Sequence, residues 1–128
     1  MNRQTLDLYI QNTYNTKSEF PWESTPTNAV YRHKDNKKWF ALIMDLPKAK
    51  LFGTSQATIT VMNLKCDPLL IGSLLSEKGI HPAYHMNKSH WISVALDGSA
   101  GDEDIKWLLD VSYDLTKPKR KCSKKETG

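Results

Sequence analysis

The sequence predicts an α+β domain, a two-layer arrangement in the order α-β-β-β-α-β-β-α with helices packed on a largely antiparallel five-stranded sheet. Three observations predict it. Apolar residues recur at i, i+3, i+4 spacing in three segments, the mark of a helix with one buried stripe. Between them lie runs rich in aromatic and aliphatic residues, joined by short polar turns as antiparallel hairpins are. The chain has 128 residues with 39% hydrophobic content, enough for one core and one domain.

The first helix shows Leu6, Tyr9, Ile10, Thr13 and Tyr14 on one stripe. Residues 15–28 hold Pro21 and Pro26 among serine, threonine and asparagine and read as a loop pinned to the core by Phe20 and Trp22. Strands over 29–33 and 38–46 follow, joined by Lys34-Asp35-Asn36-Lys37, where the Asp-Asn pair tolerates the positive φ of a tight turn. Phe40, Leu42, Met44 and Leu46 alternate with Trp39, Ala41 and Ile43, which predicts a strand covered in part on both faces and ended by Pro47.

Residues 48–56 read as a turn region around Gly53, and 57–65 as a third strand with Ile59 and Val61 opposite Thr58, Thr60 and Met62. Asp67 as a cap, Pro68 at the first position and Gly79 at the close predict a helix over 67–78 burying Leu70, Ile71, Leu74 and Leu75. Residues 82–85 and 90–97 make a second hairpin in which Ile92, Val94 and Leu96 point together. The final helix, 102–117, presents Ile105, Leu108, Leu109, Ser112 and Tyr113, with Ser99 in a capping arrangement. Phe40, Leu42, Ile59, Val61, Leu74, Ile92, Val94, Leu109 and Tyr113 are expected in a single core.

The net charge is +4, and its distribution says more than its total. From Lys117 onward, six basic residues face only Glu126, so 117–128 reads as a flexible tail at +5 and residues 1–116 stand at −1. Within that body, Arg32, Lys34, Lys37, Lys38, Lys48 and Lys50 gather against Asp35 and Asp45. Asp97, Asp102, Glu103, Asp104, Asp110 and Asp114 face only Lys106. A polarised domain is consistent with one face meeting an anion, and ordinary solvated surface is the alternative. No run of about 18 apolar residues is present and the N-terminus lacks the basic-then-apolar order of a signal peptide, so a cytoplasmic protein with no membrane partner is expected.

Catalytic constellations are weak. His81, His85 and His90 have ligand chemistry, but Pro82 argues against a helix there and no third ligand is evident for the pair facing across the hairpin. Rings packed on Trp91 and Tyr84 are the plainer account. Cys66 precedes a helix N-terminus, which lowers thiol pKa, yet it lies before the cap with no histidine beside it and reads as a small buried residue. Cys66 and Cys122 form no Cys-x-x-Cys pair and are read as free thiols. The six glycines fall at turns rather than in a phosphate loop, and Asp102, Glu103 and Asp104 complement a helix dipole. No enzymatic activity, cofactor, metal or small-molecule substrate is expected.

Several segments share a family likeness: Glu19-Phe20-Pro21-Trp22, Tyr31-Arg32-His33, Asn36-Lys37-Lys38-Trp39-Phe40-Ala41-Leu42-Ile43, Lys65-Cys66-Asp67-Pro68, Pro82-Ala83-Tyr84-His85-Met86-Asn87-Lys88, His90-Trp91 and Leu96-Asp97-Gly98-Ser99. Together they resemble the bacterial MmcQ/YjbR-like family over residues 1–116. The resemblance implies a fold similar to type III secretion chaperones or frataxin-like proteins, with two hairpins forming a double wing proposed to contact DNA. The lysine-rich tail departs from the family's usual extent, and Asp35-Asn36 stands where many members carry glycine.

On that reading the first wing offers Arg32, Lys34, Lys37 and Lys38 to phosphates, and the second offers Asn87 and Lys88 with His85 and His90 at its base. The alternative is a protein-interaction or chaperone-like adaptor using Trp39, Trp91 and Trp107. A positive strip across both wing tips favours nucleic acid, and a continuous exposed apolar patch favours a protein partner.

Overall fold

A computed structural model of the chain describes residues 1–47, 58–84 and 86–118. Helix α1 (Arg3–Tyr14) starts at Asn2, whose Oδ1 accepts from the Thr5 amide at 2.8 Å, and ends at Asn15 in the left-handed region. Strands β1 (Ser18–Glu19), β2 (Ala29–Arg32), β3 (Trp39–Pro47) and β4 (Thr58–Lys65) follow, then the short helix α2 (Pro68–Leu74), β5 (Ile80–Pro82), β6 (Trp91–Ala95) and α3 (Asp102–Thr116). They build one six-stranded sheet in the order β1-β2-β3-β4-β6-β5, antiparallel at every pairing. Both predicted hairpins lie in it. The additional strand, β1, falls inside the predicted loop; its two residues pair Ser18 with Tyr31 and Glu19 with Val30, too short a run to leave a periodic signal.

The expected single core is two. Against one face of the sheet pack α1 and α3, through Leu6, Ile10, Ile105, Leu108 and Leu109 on Tyr31, Ile43, Met62, Leu64, Ile92 and Val94. Leu42, Ile59 and Val61 belong instead to the opposite face, with Val30, Met44, Leu46 and Ala95, under Trp22, Trp39, Tyr84 and Met86. Register explains the split, because side chains alternate across a strand and β3 and β4 are apolar on both sides.

A bulge in β3 changes the predicted alternation. Tyr31 pairs with Ala41 but Arg32 pairs with Trp39, so Phe40 is the extra residue and joins Ala41 and Ile43 on the helix side. Trp39 moves to the opposite face. The Ser112 hydroxyl of α3 fills the resulting break, donating to the Phe40 carbonyl at 2.6 Å and accepting from the Lys65 amide at 2.9 Å.

Other boundaries shift for local reasons. Asp67 caps α2 as predicted, through Leu69 N at 2.9 Å, but the helix stops at Leu74. Of its leucines and isoleucine only Ile71 is buried, while Leu70 and Leu75 are exposed. Gly79 does not close that helix; with φ +83 it turns the chain into β5, which begins at Ile80 rather than residue 82. Helix α3 is capped at Gly101 without a side-chain bond, and Ser99 bonds Asp97 instead. Thr13 and Phe20 are exposed, so neither serves the core. The predicted turn around Gly53, with Lys48 and Lys50, and residues 119–128 with Cys122 lie outside the described residues.

Candidate nucleic-acid interface

The two hairpin tips leave the same end of the sheet. Across the strands, Tyr31, Ala41, Leu64, Ile92 and Pro82 form one continuous row, and both tips project beyond it. Only β4 separates β3 from β6, so the tips start on the order of 10 Å apart at two inter-strand spacings.

In the first tip, His33 and Lys38 close the turn through His33 N to Lys38 O at 2.9 Å and Lys37 N to His33 O at 3.1 Å. The positive φ falls at Lys37, at 63°, and not at Asp35 or Asn36 as the turn chemistry predicts. Asn36 is used differently: its Oδ1 accepts from Lys38 N and its Nδ2 donates to the Thr116 carbonyl, each at 3.0 Å. The second contact docks the wing onto the end of α3, and that side-chain duty takes Asn36 out of the left-handed position.

His33 completes the docking. It is 4% exposed, packs 4.3 Å from the Tyr113 ring centroid and lies 2.8 Å through Nε2 from Thr116 Oγ1. That hydroxyl donates to Ser112 O at 2.8 Å, so Nε2–H is the donor to it. Burial holds the imidazole below its ordinary pKa. The unfolded chain therefore binds more protons than the fold, and stability falls as pH drops through and below about 6.5, by at most about 1.4 kcal/mol per pH unit. Urea unfolding midpoints measured from pH 7.5 to 5 should fall on acidification, and His33→Gln should flatten that fall; an unchanged slope in the variant would assign the effect elsewhere.

The second tip is pinned by Asn87, whose Oδ1 accepts from Ser89 N at 2.8 Å and whose carbonyl accepts from His90 N and Trp91 N. His90 O accepts from Cys66 N at 2.8 Å, tying the wing to the end of β4. At its root a buried relay crosses the sheet: Asn63 Nδ2 donates to Tyr84 O at 2.8 Å, Tyr84 N to Ser93 Oγ at 3.1 Å, and Ser93 Oγ to Asn63 Oδ1. Sequence reasoning missed Asn63 and Ser93, because nothing local distinguishes a polar residue that bonds across a sheet from one that faces water; helical spacing did place Ser112 on the buried stripe of α3, though not its two main-chain bonds.

Of the predicted contact residues, Lys34, Lys37, Lys38, Asn87, Lys88 and His90 are exposed at the two tips. None of the four lysines has an ion-pair partner among the described residues. Arg32 is different. It is half-buried, with Nε 3.4 Å from Glu19 Oε1 outside hydrogen-bond geometry and its guanidinium 5.8 Å from the Trp39 centroid. His85 lies outside the described residues. Asn87 acts as the turn former of its hairpin.

Helix α3 starts with three acids, Asp102, Glu103 and Asp104, at the other end and runs to Thr116 at the first wing, while Asp35 lies in the first tip itself and Glu19 stands beside Arg32. The N-terminal ammonium, 2.6 Å from Asp102, holds that carboxyl below the usual range. Burial pushes the Cys66 thiol up, which suits a packed residue rather than a nucleophile. Among the described residues no group of three or more potential metal ligands comes together, and no helix is long and apolar enough to cross a membrane.

A groove of about 420 Å³, polar and apolar in nearly equal part, lies away from the wings, between α2 and α3. Leu74, Ile80, Leu108 and Trp107 line it beside Glu77 and Asp104. Trp107 is 51% exposed, whereas Trp39 and Trp91 are half-buried.

The geometry has relatives. A crystal structure of a Pseudomonas syringae protein superposes with a TM-score of 0.89 at 48% identity, covering 91% of this chain and 100% of that one. A Deinococcus radiodurans protein is similar with a TM-score of 0.64 at 25% identity, over 91% of this chain and 83% of the other. The uncharacterized protein YyaQ of Bacillus subtilis is 37% identical over 117 residues, 91% of this chain and 99% of its own length. The uncharacterized protein YjbR of Escherichia coli is 42% identical over 53 residues, 41% of this chain and 45% of its own. The model of the YjbR family matches residues 11–115, a span that takes in the whole sheet, α2 and nearly all of α3, and the chain belongs to that family.

Proposed function

We propose that this protein is a non-enzymatic nucleic-acid-binding module that meets DNA with its two hairpin wings. The observation that carries the reading is the common origin of the wings: both tips leave one end of one sheet, each with exposed lysine on a turn held by side-chain hydrogen bonds. A pinned turn loses little conformational freedom on binding, so phosphate contacts there are not spent on ordering the loop. Lysines at such tips neutralise phosphates of any sequence. The acidic first turn of α3, far from the wings, favours an approach by the wing end.

Replacing Lys37, Lys38 and Lys88 jointly by alanine should weaken binding to duplexes of any sequence and make the salt dependence shallower, by up to about one unit of slope for each phosphate no longer neutralised. Fluorescence anisotropy across a salt series measures both. Deleting residues 117–128 is the necessary companion, because a tail at +5 binds polyanions without help from the fold. Loss of all duplex binding on truncation, with the isolated tail peptide still binding at low salt, would rule out the wings.

A second reading rests on the groove between α2 and α3. Trp107, which lines it and is 51% exposed, is a large apolar side chain in water, as a docking site for a protein partner would present it. Failure of the wing experiment makes this adaptor reading the better one.

A further inference from the structure

Between the wings, the sheet presents a second kind of chemistry on the face away from the helices. Arg32 and Trp39 are register partners on β2 and β3, and Lys65 and Trp91 are partners on β4 and β6. Each follows or precedes a residue buried on the helix side (Tyr31, Phe40, Leu64 and Ile92), so all four side chains share the opposite face. Cation and aromatic therefore alternate across four adjacent strands: Arg32, Trp39, Lys65, Trp91. All four are half-buried, which fixes their place while leaving part of each at the surface.

We propose that this row is a stacking platform for the unpaired bases of a single-stranded nucleic acid; the inference rests on the nucleic-acid reading above and names the form of the ligand. An aromatic side chain on a sheet takes a base by its π-face, and only an unpaired strand can turn that face outward, since a duplex offers base edges in its grooves. Trp91, half-buried at the start of β6, is the first platform. Trp39 meets Trp22 at right angles, with ring centroids 5.5 Å apart, and carries the Arg32 guanidinium carbon 5.8 Å over its ring centroid. Arginine planes stack on bases as aromatic rings do, so the Arg32–Trp39 pair is a second platform. The two lie two inter-strand spacings apart, on the order of 10 Å. Lys65, between them, is placed for the phosphate that links the two stacked nucleotides, and Lys38 and Lys88 at the tips continue the cationic path.

The test compares oligothymidylate of about 16 nucleotides with a blunt duplex of the same length, by anisotropy, on the full chain. Trp91→Ala should weaken single-strand binding by about 5- to 150-fold and change duplex binding far less, while Trp91→Phe retains most of the affinity. Trp91→Leu keeps apolar bulk without a π-face, so it decides the matter should the alanine variant fail to fold. Single-strand affinity unchanged in the folded leucine variant, or equal losses on both ligands, would overturn the platform. With the lysine triple variant still weakening duplex binding, that result leaves the wings intact. A natural chain that binds neither ligand at low salt would overturn both readings.

Discussion

Gly79→Ala should destabilise the domain by roughly 3 kcal/mol, combining about 1–2 kcal/mol for a left-handed residue with a Cβ and a steric conflict of similar size. The conflict is with backbone. A Cβ at position 79 would stand 2.8 Å from the Ala100 nitrogen and 2.9 Å from the Ala100 Cβ, and Ala100 is a buried residue just ahead of α3. Neither can rotate away. The Gly79 carbonyl also accepts from Ala95 N at 2.8 Å, so any shift at residue 79 is passed into β6. Gly98 is the control: its φ is +90, but nothing lies within 4 Å of an added Cβ. Gly98→Ala should therefore cost only the backbone part, about 1–2 kcal/mol. Urea unfolding of both variants checks the difference; equal losses would show that the close approach at Ala100 contributes nothing.

Ser112→Ala should cost about 2–4 kcal/mol, more than most changes of one atom, because it strips two main-chain groups of their partner at once. The Phe40 carbonyl loses its donor and the Lys65 amide its acceptor, at a place where the β3 bulge has already interrupted the ladder. Ser99→Ala, at an exposed hydroxyl, should stay within about 0.5 kcal/mol. Hydrogen exchange gives the finer reading: the Lys65 amide should lose protection in Ser112→Ala well before the amides of β4 farther from the bulge. Uniform loss of protection along β4 would mean that the hydroxyl is not a local patch.

How much of this was legible in the residues varies with the range of the interaction. Asp67 and Pro68 mark the start of α2, and Ile105, Leu108 and Leu109 the buried stripe of α3, because a cap and a helical period are written within a few positions. Ile92 and Val94 face the helices as alternation predicts. The end of α2 was not legible. Apolar residues at helical spacing continue to Leu75, but whether they are buried depends on what packs above them, and Leu70 and Leu75 meet water.

The same limit runs through the candidate site. Lys34, Lys37, Lys38 and Lys88 stand exposed where turn chemistry places them, since tips of hairpins reach solvent by construction. Arg32 looked equivalent in sequence and is not, because the unpredicted β1 brings Glu19 beside it and the bulge brings Trp39 beneath it.

By itself the sequence determined the α+β class, the two hairpins, the basic tips and the acidic start of α3, all of which follow from the spacing and charge of neighbours along the chain. Only the tertiary structure decided that the tips share one end of the sheet, that α3 docks on the first wing through His33 and Asn36, and that Phe40 and Trp39 exchange faces. Those outcomes depend on strand order and register, which are set by contacts between residues dozens of positions apart, and a single extra residue in one strand turns every later side chain to the other face.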